Sequence, residues 1–175
     1  MKKILFCLVI LTLVFSVVPA RAQEVAVINL EEVINNSTAM NKVKKKLEAK
    51  KADMEKKLKV EEKGLTDEKT ALESQIKVLS QDVAQEKVTA FQNKVIAFQD
   101  NVKKNENELQ KGFMDAYLKV TNSVKDIIVE MKNEKNTKYT FNVVIPKAST
   151  LYNDQNIDIS AEVLARLNKK LKEIK

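Results

Sequence analysis

The stretch LSQDVAQ, residues 79–85, interrupts a long run of helix-forming residues and decides how the chain folds. Ser80 is a residue type preferred at helix N-caps, and Asp82 falls in the first turn that would follow, where a negative charge is favoured. Residues 38–131 contain no proline and are dominated by Ala, Leu, Glu, Lys and Gln, which favour helix. We therefore predict two long helices that reverse direction near residue 80.

Apolar residues on both sides of this reversal follow coiled-coil spacing. Leucines recur every seven residues over 58–79, and apolar residues over 88–102 alternate steps of three and four. If the chain folds back near residue 80, positions equidistant from it should face each other, as Leu47 and Phe113 would. The predicted seam residues are Met40, Val43, Leu47, Leu58, Leu65, Leu72, Val88, Val95, Val102, Phe113, Tyr117 and Val120.

The predicted arm is too narrow to be a globular domain. Its apolar stripe is wide enough for one partner helix, and the remaining surface is polar. Each helix of ~40 residues would extend ~60 Å at 1.5 Å per residue. The steps of four between Leu109, Phe113 and Tyr117 form a stutter, which locally unwinds a left-handed supercoil.

The segments flanking the arm predict a small body with β-strands. Residues 25–30 and 138–145 have the β-branched and aromatic character of buried strands, and Pro146 is expected to end the second. Residues 149–154 are a candidate third strand, and Ser160 is the expected N-cap of a final amphipathic helix. The predicted body core comprises Val25, Val27, Ile28, Phe141, Val143, Val144, Ile145, Leu164 and Leu167.

The predicted fold class is α+β and predominantly helical. We divide the chain into a signal peptide at 1–22, an oligomerisation body at 23–37 and 136–175, and a helical arm at 38–135 with its tip near 79–84. The 55 body residues are few for an independent core, and their strands would leave open edges. Oligomerisation is a usual remedy, so we expect several copies to share one body.

The N-terminus has the pattern of a cleaved secretory signal peptide. Lys2 and Lys3 precede an apolar run over residues 4–18. Small residues, Ala20 and Ala22, then form a cleavage signal before Gln23. The predicted location is therefore the periplasm.

The composition excludes most catalytic chemistry. The chain has no histidine, and its single cysteine lies in the apolar N-terminal run. We expect no enzyme activity, cofactor or metal ion, since proton-transfer, thiolate and phosphate-loop residues are missing. Removing the three basic residues of the signal peptide from 31 leaves 28 basic against 24 acidic residues, a net charge of +4. Interleaved acids and the signal peptide argue against a nucleic-acid partner.

The whole mature chain resembles the Skp/OmpH family of periplasmic chaperones, both in its motifs and in the order of its elements. The residues that carry the resemblance are VAVINLEEVI at 25–34, the long hairpin, and YTFNVVIPKASTLYNDQNIDISAEVLARLN at 139–168. The resemblance implies a homotrimer whose arms enclose a cavity. It also implies ATP-independent holding of unfolded outer-membrane β-barrel proteins and contact with anionic lipid.

Two sets of arm residues are candidate client or lipid contacts. Residues 42–63 carry ten lysines and five acids, whereas residues 64–103 carry five lysines and six acids. The basic candidates are Lys44, Lys45, Lys46, Lys50 and Lys51, and the aromatic candidates are Phe91 and Phe98. The alternative interpretations are a solvated helix face for the lysines and seam packing for the phenylalanines.

The second hypothesis for function is a secreted coiled-coil scaffold or adaptor. Such a protein would present its arm to one folded partner instead of many unfolded ones. Suppression of aggregation of an unfolded barrel protein distinguishes the two.

Overall fold

The computed structural model describes residues 25–134 and 138–174 and has the predicted predominantly helical α+β class. In chain order the elements are β1 (Val25–Ile28), α1 (Leu30–Asn36), α2 (Thr38–Gln75), α3 (Gln81–Asn133), β2 (Val143–Pro146) and α4 (Ser160–Lys170). Short 3₁₀ turns occur at Ile76–Val78, Lys147–Ser149 and Gln155–Ile157.

The two strands form a parallel pair in which Val27 lies opposite Ile145. Parallel strands need a long crossover connection, and here the whole helical arm is that connection. The second strand is shorter than predicted and includes Pro146 as its last residue. The predicted third strand at 149–154 is wrong, because the other side of β1 is occupied by a bridge between Val27 and Asp158.

A short helix, α1, replaces the end of the predicted first strand. The Asn29 side chain accepts a hydrogen bond from the Glu32 backbone N–H at 3.2 Å, and it donates one to the Glu32 carboxylate at 2.9 Å. Asn29 is therefore the N-cap of α1, so the chain leaves β1 and turns directly into a helix. Ser37 then separates α1 from α2, because its Oγ donates to the Ile34 carbonyl at 2.8 Å and accepts from the Met40 N–H at 3.2 Å.

The core lies where the arm meets the strands. Its fully buried side chains come from α1, the root of α2, the end of α3, β1 and α4, and include Ile34, Met40, Ile127, Met131, Ile159 and Leu167. Among the predicted body core, Val27, Ile28, Phe141 and Leu167 are buried, and Val144, Ile145 and Leu164 are half-buried.

Two members of the predicted body core are exposed instead of buried. Val25 is 40% exposed and Val143 is 51% exposed. They pair with each other as the first rung of the parallel sheet. They therefore sit at the outer end of the ladder, where no helix within residues 25–134 and 138–174 covers them.

The chain reverses between α2 and α3 through residues 76–80. Leu79 and Ser80 are extended, and the Ser80 carbonyl accepts the first hydrogen bond of α3 from the Ala84 N–H at 2.9 Å. The reversal thus begins about three residues before the predicted tip at 79–84. Ser80 occupies the N-cap position of α3, although its side chain makes no capping hydrogen bond.

The two arm helices run antiparallel. The Lys50 ammonium donates to the Glu108 carboxylate at 2.6 Å, and the Lys87 ammonium donates to the Gln75 side chain at 3.1 Å. Each pair is nearly equidistant from residue 80 along the chain.

Ser160 does not cap α4 in the predicted way. Ile159 occupies the N-cap position, and Ser160 is the first helical residue. The Ser160 hydroxyl donates to the Asp158 carboxylate at 2.6 Å and accepts from the Asn29 N–H at 2.8 Å. Its role is therefore to tie the start of α4 to the end of β1.

Candidate functional site

The distal arm offers surface and no enclosed site. Between residues 44 and 115 no described side chain is buried. The predicted seam residues in this stretch, apart from Phe113, are half-buried: Leu47, Leu58, Leu65, Leu72, Val88, Val95 and Val102. Nearer the base, Met40, Val43 and Val120 are buried and Tyr117 is half-buried.

The predicted pairing of Leu47 with Phe113 is wrong. A Cβ added to Gly112 would lie 3.2 Å from the Leu47 Cδ2, so the glycine backbone faces that leucine, while Phe113 is 40% exposed. The seam continues through Ala116 and Val120, which are buried. A stutter shifts the register between the two arm helices. The Leu47 side chain lies so close to α3 that the residue facing it is a glycine, which has no side chain.

A discontinuous apolar face, interrupted by exposed polar residues between Ile96 and Met114, runs along α3. Its residues are Ile96, Met114, Leu118 and Val129, which are 55%, 49%, 52% and 57% exposed. At 3.6 residues per turn these four share one side of the helix, roughly opposite the seam. Sequence reasoning missed this face because it searched for the seam period. The available signal was the apolar pair Met114 and Leu118, spaced four residues apart and off that period.

Further apolar side chains are exposed at the two ends of the molecule. At the arm tip, Ile76 is 37% exposed, Val78 84% and Val83 40%. In the base, Leu151 and Tyr152 are 110% and 84% exposed, on the segment that follows β2. The chain therefore presents many shallow apolar positions spread along its length.

The five candidate contact lysines are mostly paired within the chain. The longer ammonium contacts join Lys44 to Asn35 at 3.0 Å and Lys51 to Glu55 at 3.7 Å. The remaining partners are Glu173 for Lys46 and Glu108 for Lys50, each at 2.6 Å, and Lys45 is exposed. These contacts favour a solvated, ion-paired helix face. Phe91 and Phe98 are half-buried on α3, as the seam-packing interpretation expects.

The base contains one polar cluster beside an open cavity of about 460 Å³. Lys147 donates to Asp158 at 2.6 Å, and the cavity is also lined by Glu32, Asn153 and Ser160. The hydrogen bond with Asp158 raises the pKa of Lys147 above its ordinary value, so this amine stays protonated and is a poor nucleophile near neutral pH. The cluster ties the 147–158 segment to the base.

Other kinds of site are not apparent in the part of the chain that the structure describes. Within residues 25–134 and 138–174, no group of three or more acidic side chains is placed to hold a metal ion. In the same ranges, no helix combines the length and apolar character needed to cross a bilayer. The predicted cleavage residues Ala20, Ala22 and Gln23 lie outside these ranges.

Fold and surface together define the class: an arm-bearing, mainly helical protein whose exposed apolar residues are spread along its length. Residues 24–167 match the family of outer membrane proteins described as OmpH-like, and the chain belongs to this family. The resemblance seen in the sequence is thereby confirmed.

A solved structure shares the fold. It is a candidate outer membrane chaperone (OmpH-like) from Caulobacter crescentus CB15, with a TM-score of 0.67 and 18% sequence identity. The similarity covers 87% of this chain and 88% of that one. No curated protein matches the chain.

Proposed function

We propose that this protein is an ATP-independent holdase chaperone of the periplasm that binds unfolded outer-membrane β-barrel proteins and prevents their aggregation. Membership of the OmpH-like family supports a chaperone function. The observation that carries the proposal is the set of exposed apolar side chains on α3: Ile96 and Met114 on the distal arm, where no residue is buried, and Leu118 and Val129 on the outer side of the helix in the base.

The physical demands on a holdase fit this arm. An unfolded barrel protein is apolar at alternate residues, so it is best held by many weak contacts instead of one deep pocket. A thin two-helix arm adapts to clients of different size, as flexible surfaces do in other promiscuous binders. Interspersed lysines and acids keep the complex soluble.

We further propose that three copies assemble through the base and that their arms surround a shared cavity. A two-stranded sheet is marginal alone, and Val25, Val143, Leu151 and Tyr152 leave apolar surface at the base for another copy to cover. Anionic lipid is a secondary proposed partner of the lysine-rich half of α2. Mass measurement of the mature protein in solution, with a trimer as the expected result, tests the assembly.

The holding activity is tested by diluting a urea-unfolded outer-membrane barrel protein with and without this protein. We expect aggregation to be suppressed near one client per oligomer. Replacing Met114→Ser and Leu118→Ser together should weaken client binding about tenfold or more, since ~1.4 kcal/mol corresponds to tenfold and each CH₂ contributes ~0.8 kcal/mol.

A matched control is the double variant Asn107→Ser and Lys111→Ser. These two residues lie on the same stretch of α3 and are also exposed, but they are polar. This variant should hold clients as the original protein does. Failure of the unaltered protein to suppress aggregation at large excess would reject the holdase and favour the scaffold that binds one folded partner.

A further inference from the structure

The family match ends at residue 167, and residues 168–174 lie beyond it. This segment, which we call the tail, comprises the end of α4 and the residues that follow. It contacts both long helices, partly within the base and partly at the level where the arm leaves the core. There the buried part of the chain stops at Val43 on α2 and at Ala116 on α3.

The tail completes the N-terminus of α2. The Asn168 Oδ1 accepts a hydrogen bond from the Thr38 N–H at 2.8 Å. Thr38 is the first helical residue, so its N–H has no acceptor within the helix, and Ser37 already serves the Met40 N–H. An α4 side chain therefore caps α2 from outside.

The tail also bonds α2 a second time, nearer the arm, and bonds α3 once within the base. The Glu173 carboxylate accepts from the Lys46 ammonium at 2.6 Å, about two turns above Thr38. The Lys170 ammonium pairs with Glu130 on α3.

Apolar contacts accompany these polar ones. Leu171 and Ile174 are half-buried and pack against the core cluster. Ile174 also lines the crevice between the arm helices, beside Leu47 and Gly112, where the Leu47 side chain packs against the Gly112 backbone.

We propose that the tail is a brace that sets the direction of the arm relative to the base. Beyond Val43 and Ala116 no side chain of the arm is buried, so the arm's direction depends on a small number of contacts at its root. The tail supplies such contacts to α2 through Glu173 and to both helices through Ile174, which lies beside Leu47 and Gly112. When it detaches, the arm swings over a wider range while the base core stays packed. This inference does not depend on which molecule the arm binds.

The test measures arm direction in the mature protein, which has no cysteine once the apolar N-terminal run is removed. Spin labels at Glu31→Cys on α1 and Asp67→Cys on the arm, both exposed, report one base-to-arm distance by pulsed EPR. Labelled chains are diluted with unlabelled ones so that only distances within a chain are seen.

Two variants detach the tail by different means. Glu173→Lys replaces an ion pair with repulsion from Lys46, and Ile174→Ser removes the apolar contact. Both should broaden the distance distribution, and adding Lys46→Glu to Glu173→Lys should narrow it again by restoring an opposite-charge pair. The matched control is Glu48→Lys, the same charge reversal at an exposed site on α2, which should leave the distribution unchanged.

Hydrogen exchange at core amides of the base separates a brace from general stabilisation. Broadening with unchanged exchange at Ile127 and Leu167 supports the brace. Unchanged distributions in both tail variants overturn it, and so does broadening that comes with faster exchange throughout the base. Client aggregation is measured separately, so a failed holdase would leave this result standing.

Discussion

The base and the distal arm share two helices but are stabilised differently. In the base, Met40 on α2 and Val120, Ile127 and Met131 on α3 are fully buried. Along the distal arm the same helices have half-buried seam residues and exposed ion pairs, such as Lys94 with Glu68. The difference arises because α1, α4 and the strands cover the seam only at the base. A heptad pattern alone thus yields a thin two-helix rod. A buried core forms only where α1, α4 and the strands pack over the two helices.

The largest difference between base and arm is expected in the loss of stability when an isoleucine of α3 is replaced by alanine in each region. Ile127→Ala removes a side chain that is 0% exposed and should reduce the free energy of unfolding by about 2–5 kcal/mol. Ile96→Ala, at a site that is 55% exposed, should change it by less than about 0.5 kcal/mol. Urea unfolding followed by far-UV circular dichroism at fixed protein concentration measures both, and equal losses would contradict the comparison.

The second largest difference is expected between the N-cap serines of α2 and α3, in the stability lost when each is replaced by alanine. Ser37→Ala leaves the buried Met40 N–H without its partner and removes one of two hydrogen bonds to the Ile34 carbonyl, at a cost of about 1–2 kcal/mol in unfolding free energy. Ser80→Ala at the arm tip should cost almost nothing, because its side chain makes no capping bond. The same urea titration tests the pair, and a comparable loss at Ser80 would show that the tip is capped after all.

Truncating a seam residue should destabilise the arm near that residue and leave the base unchanged. Leu65→Ala removes a half-buried side chain and should weaken the arm by about 1 kcal/mol, less than a core truncation. Hydrogen exchange should accelerate in the arm near residue 65 and its opposite helix, while amides around Ile127 keep their protection. Faster exchange in both regions would mean that arm and base unfold as one unit.

The smallest effect should be the pH dependence of the Lys147–Asp158 pair in the base. Burial alone would raise the pKa of Asp158, but hydrogen bonds from Lys147 and Ser160 outweigh it and lower that pKa below the ordinary 3.8. The carboxylate therefore stabilises the fold above pH 3.8, and this contribution is lost as the pH falls through the lowered value. The pKa of Lys147 is raised above 10.5, so its contribution is present below pH 10.5 and is lost as the pH rises through the raised value.

Comparing urea midpoints of the original protein and Asp158→Asn across pH measures this effect. The difference should be steady between about pH 5 and 9 and should shrink in acid. A difference that persists unchanged at low pH would assign the stabilisation to packing instead of charge.

Local pattern was sufficient to predict the arm. Heptad spacing and the absence of proline placed the two helices, since these features depend on neighbours three or four residues away. Equidistance from residue 80 predicted the antiparallel course that the Lys50–Glu108 and Lys87–Gln75 contacts show. The family was also recognisable from the order of elements, a property of the linear chain.

Only the tertiary structure showed which apolar surfaces are covered, and by which elements. The sequence did not reveal that Asn29 would start α1, that Gly112 and not Phe113 would face Leu47, or that Val25 and Val143 would be exposed. It also did not show that the last residues return to the root of the arm. Periodicity says which side of a helix or strand is apolar. Which apolar sides are covered depends on contacts between residues far apart in the sequence, and only the folded chain brings these together.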